Sequence, residues 1–158
     1  MYRKGVSALI INKNQEFLLV NLASFKEKYF AIPGGGIEEG EDLEDAVYRE
    51  IQEEVGIEKE SLELIGKSDI PIKFTFKLIH KGKEYSGSER NFFGFRFLGD
   101  DTEIKPQTGE VRAYRWVPFA RLSDYLLFNN QLEETSEKIM EIFPEFHKKQ
   151  NQSISEIP

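Results

Sequence analysis

The chain has 158 residues, of which 39% are hydrophobic and 13% aromatic, so it can bury one substantial core and a single domain is expected. Its net charge of −7 argues against a broad, nonspecific polyanion-binding surface, because such surfaces are usually basic. The absence of cysteine fits a reducing cytoplasm, and neither a signal peptide nor a transmembrane segment is predicted.

The first predicted elements are the two strands of a β-hairpin. Val6–Asn12 and Glu16–Leu22 are apolar runs, and the turn-prone residues 13–15 separate them. The polar start, Met1–Gly5, is expected to fray.

A short strand is then predicted over Tyr29–Ile32, followed by a glycine-rich turn and a helix. Because glycine has no Cβ atom, the backbone at Gly34–Gly36 can come close to a ligand or a metal. Asp42–Val55 contains no Gly or Pro and mixes apolar and charged residues at helical spacing, which predicts a helix of about three to four turns. Gly56 is expected to end this helix.

Three glutamates of the predicted helix form one acidic patch. Glu50, Glu53 and Glu54 fall within an arc of roughly 100°, because residues three and four apart share a helix face. Such a patch is usually a solvated surface, but Glu50 continues the apolar stripe that begins at Leu43, so the patch points toward the interior. The pair Glu50 and Glu54 would repel, which requires a positive partner. Oxygen ligands suit Mg²⁺ or Mn²⁺, and with no Cys and two His a common zinc site is not available.

The stretch Gly35–Ile57 resembles the Nudix box, in which a glycine is followed at fixed spacing by Glu and then by Arg-Glu-aliphatic-x-Glu-Glu-x-Gly-aliphatic. Every specified position matches, namely Gly35, Glu41, Arg49, Glu50, Ile51, Glu53, Glu54, Gly56 and Ile57. The resemblance implies a Mg²⁺-dependent hydrolase that cleaves a diphosphate linkage in a nucleoside diphosphate joined to another group. It also implies a metal site made of the Gly35 carbonyl together with Glu50, Glu53 and Glu54.

Other roles within this site are assigned residue by residue. Glu41 lies at the helix start, where a carboxylate interacts well with the helix dipole, and the resemblance gives it an orienting role. Arg49 cannot bind Mg²⁺, so we expect it to hold a glutamate in position, with Glu53 as its i+4 neighbour. The resemblance suggests Glu110 as a further metal ligand or the general base, although a solvated loop glutamate is an equal alternative. Glu53 or Glu54 is the next candidate for the base.

The second half of the chain is predicted to contain further strands and two helices. The strands are one or two within 61–70, then Ile72–His80, Arg90–Leu98 and Val111–Val117, with Trp116 expected to be buried. A short helix to Leu126 and a helix over Leu132–Phe143 follow, the latter with a core stripe of Leu132, Ser136, Ile139, Met140 and Phe143.

The order of elements predicts an α/β (α+β) fold in which helices enclose a mixed sheet, because βαβ alternation is missing. The Nudix resemblance implies the same arrangement, an α/β/α sandwich. We expect residues 1–147 to form this single domain and residues 148–158 to be a disordered tail.

Outside the box the chain bears a looser resemblance to the branch of RNA pyrophosphohydrolases and dinucleoside polyphosphate hydrolases. The matching stretches are Tyr2-Arg3, residues 86–98, residues 114–117 and Phe128-Asn129. On this basis the candidate substrate-binding residues are Arg3, Tyr125 and Phe128. The rings of Tyr125 and Phe128 could instead only anchor the last helix to the core.

Two departures from that branch concern positive charge. A lysine commonly follows the base-stacking aromatic residue, but here Asn129 follows Phe128, and an expected basic pair in the second strand is replaced by Asn21-Leu22. Both changes remove phosphate-binding charge. They favour smaller nucleotides, a dinucleoside polyphosphate or a nucleoside triphosphate, over an RNA 5′ end.

A second class of function is a catalytically silent Nudix-like domain that senses a nucleotide or binds a partner. The complete set of box carboxylates favours the enzyme, because a silent domain need not retain them. A monomer and a homodimer both remain compatible with the sequence.

Overall fold

The fold is built around β1, which contains the longest run of buried residues in the described part of the chain. The computed structural model describes residues 1–146, so the predicted tail over 148–158 lies outside the described residues. Strand β1 spans Tyr2–Ile11, and all residues from Gly5 to Ile11 are buried. A strand buried on both faces has this continuous apolar pattern, whereas a half-exposed strand alternates.

The described residues form one sheet of seven strands. In chain order they are β1 (Tyr2–Ile11), β2 (Glu16–Leu22), β3 (Gly34–Gly36), β4 (Leu62–Lys67), β5 (Ile72–His80), β6 (Lys83–Phe97) and β7 (Val111–Pro118). Their spatial order is β4-β6-β1-β2-β7, with β3 paired to β1 and β5 paired to β6. The β1–β6 pair is parallel and the others are antiparallel, so the sheet is mixed, as predicted.

A helix covers each face of the sheet. Helix α1 spans Leu43–Val55 and packs on the face that contains Ala8 and Ile10 of β1. Helix α2 spans Gln131–Ile142 and packs on the opposite face, against Leu9 and Ile11. Successive side chains of a strand point to opposite faces, so one strand supplies both cores. The predicted α/β/α sandwich is confirmed. Short 3₁₀ helices cover Lys59–Ser61, Asp101–Glu103 and Phe119–Asp124.

The two ends of α1 lie where the sequence predicted them, and a capping residue fixes each one. Asp42 caps the helix, and its Oδ1 accepts a hydrogen bond of 2.8 Å from the Asp45 backbone N–H. Gly56 ends the helix in the left-handed region, at φ 74°. Because both ends are fixed, the angular positions of the three glutamates on α1 are fixed as well.

Several expectations differ from the structure. Tyr29–Ile32 forms only one bridge, at Ala31, and the adjacent glycines form β3 instead. The start of the chain does not fray, because β1 begins at Tyr2 and pairs with β6. Trp116 is only partly buried, and its Nε1 donates to Asp101 Oδ1 at 2.9 Å.

The buried face of α2 also differs from the predicted stripe. It is formed by Gln131, Thr135, Lys138, Ile139 and Ile142. Leu132 and Met140 only pack on the edge of the core. Within residues 1–146, no helix has the length and apolar character needed to span a membrane.

Candidate active site

The glycine strand β3 brings the backbone into direct contact with the carboxylates of α1. A methyl group on Gly35 would lie 2.5 Å from the Glu50 carboxyl carbon, so a larger residue here would displace the Glu50 carboxylate. The Gly34 backbone N–H donates to Glu54 Oε1 at 3.2 Å. Pairing of β3 with β1, through Val6 opposite Gly35, fixes the backbone in this position. The carboxylates therefore lie directly on the edge of the sheet.

Arg49 connects most of the acidic groups. Its Nε and Nη2 donate to the two oxygens of Glu41 at 2.7 and 2.9 Å, which is a forked pair. Its Nη1 donates to Glu50 at 3.0 Å and to Glu53 at 3.1 Å. Its Nη2 also donates to the Gly36 carbonyl at 3.0 Å. The expected contact with Glu53 is present, while the principal partner is Glu41.

These contacts shift the ionisation of both partners. The hydrogen bond from Arg49 lowers the pKa of Glu41, and the same bond raises the pKa of Arg49. Glu41 also accepts from the Glu38 backbone N–H at 2.9 Å, which holds it in place before the helix starts. Glu41 is thus an anchor for Arg49, in agreement with the orienting role that the resemblance implied.

The three glutamates of the acidic patch have different environments. The side chain of Glu53 is 50% exposed, whereas that of Glu50 is 15% exposed. Burial raises the pKa of Glu50, although Arg49 opposes this effect. Burial raises the pKa of Glu54 to about 8, and the negative charges of Glu50 and Glu110 add to the increase. Glu54 would therefore be stabilised by a cation.

The donor set fits a hard divalent cation. Glu50, Glu53 and Glu54 provide carboxylate oxygens, which such ions prefer. Burial raises the pKa of Glu50 and of Glu54. Within residues 1–146, no three acidic or histidine side chains already converge on one point. Glu50 and Glu53 face Arg49, and Glu54 faces Gly34 N–H, so binding an ion requires these side chains to turn.

Arg90 is a cation of this site that the sequence analysis missed. It lies on β6, its Nε donates to Ser88 Oγ at 3.1 Å, and its Nη1 lies 3.5 Å from Ser7 Oγ. Burial lowers its pKa, while the charges of Glu54 and Glu50 oppose this effect. Alternation places Arg90 on the same face of β6 as the buried Phe92, so the sequence indicated that Arg90 is buried but not that it lies near the glutamates of α1.

The other predicted site residues are placed as follows. Arg3 lies over the glycine strand, with its guanidinium where a Cβ of Gly36 would be. Glu110 is exposed, but its charge acts on Glu54, so it lies near the carboxylates. Tyr125 is not brought to the site, since its ring packs edge-on against Phe30, 5.3 Å away between centroids.

A cavity of about 640 Å³, the side cavity, is lined by Arg90, the cation whose charge acts on Glu54 and Glu50. It lies between the β5–β6 hairpin, the segment 25–32 and the start of α2. Phe128 lines it and is 42% exposed, with its ring 5.0 Å from that of Phe25 and 4.8 Å from that of Tyr29. Other lining side chains are Phe74, Phe76 and Glu134. Its size and its mixture of rings and polar groups are typical of small-molecule sites.

The fold and the site together define a hydrolase whose carboxylates lie at the edge of a mixed sheet. The NUDIX domain family model matches residues 1–141. The chain belongs to the Nudix family, and it is a pyrophosphohydrolase that cleaves a diphosphate linkage.

The chain is similar in sequence to proteins that are named RNA pyrophosphohydrolases. An RNA pyrophosphohydrolase of Pelagibacter ubique is 32% identical over 149 residues, which cover 89% of this chain and 92% of that protein. An RNA pyrophosphohydrolase of Rhodospirillum rubrum is 35% identical over 125 residues, covering 73% of this chain and 72% of the relative.

Solved structures show the same fold. The Escherichia coli dihydroneopterin triphosphate pyrophosphohydrolase superposes with a TM-score of 0.69 at 18% identity, covering 89% of this chain and 99% of the other. A Caenorhabditis elegans Ap4A hydrolase complex superposes with a TM-score of 0.61 at 22% identity, covering 83% and 90%.

Proposed function

We propose that this enzyme hydrolyses a small nucleotide, a dinucleoside polyphosphate or a nucleoside triphosphate, with Mg²⁺ held by the Gly35 carbonyl, Glu50, Glu53 and Glu54. Mn²⁺ is the alternative ion. The observation that carries this proposal is the position of Arg90. This residue lines the side cavity and interacts electrostatically with Glu54 and Glu50. A nucleotide in the side cavity would therefore have its phosphates beside both a cation and the carboxylates.

Arg90 is available for phosphate binding. Its side-chain hydrogen bonds are with the hydroxyls of Ser88 and Ser7, and within residues 1–146 no carboxylate lies within ion-pair distance of it. A guanidinium forms forked hydrogen bonds with phosphate oxygens. Arg90 thus supplies, from β6, positive charge of the kind that is missing at Asn21 and Asn129.

Asn21 has a structural role in place of a phosphate contact. It is 2% exposed, and its Nδ2 donates to the carbonyl of Tyr29 at 2.7 Å. Its Oδ1 accepts from Arg112 Nη1 at 2.6 Å. The side chain at this position of β2 therefore holds the segment before the glycines in place.

The chain's own residues can arrange the reaction as follows. A divalent ion bound here would neutralise the diphosphate and lower the pKa of a bound water. Arg49, anchored by Glu41, would orient Glu50 and Glu53. Glu54 is a candidate to accept the proton of the attacking water, because a carboxylate needs only hydrogen-bond reach to that water. Glu110 and Glu53 are the alternatives for this role.

A second candidate substrate is an RNA 5′ end. The relatives from Pelagibacter ubique and Rhodospirillum rubrum are both named RNA pyrophosphohydrolases, and this favours the alternative. The net charge of −7 and the departures at Asn21 and Asn129 favour the smaller nucleotides. We further propose a cytoplasmic enzyme with one domain over residues 1–147, acting as a monomer or a homodimer.

The first test is a hydrolysis screen with Mg²⁺ and with Mn²⁺. Dinucleoside polyphosphates, nucleoside triphosphates and a 5′-triphosphorylated RNA are compared by kcat/KM, with products separated by chromatography. We expect at least one small nucleotide to be hydrolysed with a higher kcat/KM than the RNA. The Glu53→Gln protein, purified in the same way, controls for contaminating hydrolases. A higher kcat/KM for the RNA would instead establish the second candidate.

A second test concerns the base platform. Phe128→Ala is expected to raise KM for the nucleotide by about tenfold to a hundredfold at unchanged melting temperature, because stacking on one ring contributes about 1–3 kcal/mol per base. The exposed Leu127, which does not line the side cavity, provides the matched control Leu127→Ala. A loss of about 3–5 kcal/mol in the free energy of unfolding with unchanged KM would show that Phe128 only anchors the last helix.

A further inference from the structure

Glu134 is a charged residue of the side cavity that the proposed reaction does not use. It lies in the first turn of α2, and its Oε2 is buried. Within residues 1–146, this oxygen has no hydrogen-bond donor. A buried polar atom without a partner costs about 1–3 kcal/mol, and most native structures contain only a few. Because Glu134 also lines the side cavity, a ligand bound there is the candidate for the missing donor.

The neighbouring polar groups already have partners. Gln131 Nε2 donates to the Phe30 carbonyl at 3.3 Å, and Gln131 Oε1 accepts from the Phe128 backbone N–H at 3.2 Å. Lys138, one turn after Glu134, donates to Glu141 at 3.1 Å. Lys73 of the cavity wall lies over the ring of Tyr2, 5.1 Å from its centroid. Among the residues that line the side cavity, Glu134 is thus the carboxylate that can accept hydrogen bonds from an incoming molecule.

The chemistry of this acceptor restricts the base that it can bind. An ionised carboxylate has two acceptor oxygens and no donor, so it matches two adjacent N–H groups. Guanine presents such a pair, N1–H and N2–H₂, on its Watson–Crick edge. Adenine presents the acceptor N1 beside the donor N6–H₂, and uracil flanks its one N–H with two carbonyls. Adenine or uracil would leave an acceptor facing the carboxylate, which is unfavourable when both are desolvated.

We propose that Glu134 makes this enzyme selective for guanine nucleotides, by accepting the N1–H and N2–H hydrogen bonds of a guanine in the side cavity. The inference rests on the proposed function, because it requires the base to enter that cavity. The ring of Phe128, which lines the same cavity six residues before Glu134, would stack on the base while the Glu134 carboxylate binds the edge of the base. Arg90 lines the same cavity and would then face the phosphates of the bound nucleotide.

The test compares matched guanine and adenine nucleotides, GTP with ATP and Gp4G with Ap4A. We expect the wild-type kcat/KM to favour guanine by about tenfold to a hundredfold, the discrimination typical of one bidentate base contact. Glu134→Gln should reverse the preference toward adenine, because a glutamine amide offers one acceptor beside one donor. Glu134→Ala should remove the guanine preference without creating an adenine preference.

Glu133→Gln is the matched control, since Glu133 is the exposed neighbour on the same turn and does not line the cavity. Binding of GMP and AMP, measured by calorimetry in chelator, gives the same comparison without turnover. Two results would overturn the role of Glu134 while leaving the proposed function intact. One is a guanine-to-adenine ratio of kcat/KM that is the same in wild type and in Glu134→Gln, and the other is a wild-type preference for adenine. If no nucleotide were hydrolysed or bound, both the proposed function and this inference would be overturned.

Discussion

Replacing Glu53 by glutamine is expected to lower kcat by about a thousandfold while leaving the fold intact. The substitution removes one negative charge at nearly constant volume. Charge stabilisation through a bound metal is worth several kcal/mol in the transition state, and each 1.36 kcal/mol corresponds to a factor of ten in rate. The Glu53 side chain is 50% exposed, and within residues 1–146 Arg49 is its one ion-pair partner, so loss of its charge should change the free energy of unfolding by less than about 1 kcal/mol.

The measurement is kcat at saturating nucleotide over a titration of Mg²⁺, together with urea unfolding in chelator. Glu44→Gln is the control, since Glu44 is an exposed glutamate of the same helix but lies outside the acidic patch. Wild-type turnover of Glu53→Gln at saturating Mg²⁺ would show that the acidic patch does not hold the catalytic ion.

In chelator, the free energy of unfolding should fall as the pH rises from about 5 to 8. The pKa of Glu54 is about 8 in the folded protein against 4.5 for the free side chain, so the folded state holds a proton that the unfolded state has lost. Stability decreases with pH wherever the folded state binds more protons. The loss should be on the order of 4 kcal/mol, at 1.36 kcal/mol per pKa unit. Glu50, whose pKa burial also raises, should add to this slope.

This prediction is tested by urea unfolding at several pH values, with and without Mg²⁺. Glu54→Gln should flatten the slope, because glutamine is neutral and its carbonyl can still accept from Gly34 N–H. Saturating Mg²⁺ should also flatten it, since the ion binds the deprotonated carboxylates. A metal-free wild-type protein with pH-independent stability would contradict the burial of Glu54 in a protonated form.

The helix of the site could be predicted because the residues that determine it are close together in the sequence. Asp42 and Gly56 fix the two ends of α1, and the spacing of Glu50, Glu53 and Glu54 then fixes their shared face. Spacing alone could not separate the exposed Glu53 from the largely buried Glu54. That difference depends on which side of α1 lies against β3, which is a property of the sheet.

The remaining parts of the site depend on contacts between distant segments. The fork between Arg49 and Glu41 requires the turn before α1 to fold back, with Glu38 N–H holding Glu41. Glycine has a low strand propensity, so Gly34–Gly36 gave no strand signal, and β3 exists because β1 offers it a paired edge. Arg90 reaches the site only through the pairing of β6 with β1.

The aromatic residues of the last loop are another part of the site whose positions the sequence did not predict. Tyr125 and Phe128 are three residues apart, and both were predicted to bind substrate. The path of the loop directs Tyr125 to Phe30 in the core and Phe128 to the side cavity. No periodicity applies to a loop, so the sequence did not distinguish these two directions.

The parallel pairing of β1 with β6 has a consequence for how the protein is made. Strand β1 pairs with β6 from Tyr2 opposite Gly87 to Ile11 opposite Arg96. The two residues of each pair are 85 positions apart in the chain, the same separation as between Met1 and Ser86. At about 5–20 residues per second, a ribosome needs roughly 4 to 17 s to synthesise the partner strand. During that time one edge of β1 is unpaired, and pairing between such distant segments is itself slow. Until β6 has been synthesised, this edge of the nascent chain is therefore open to pairing with other chains.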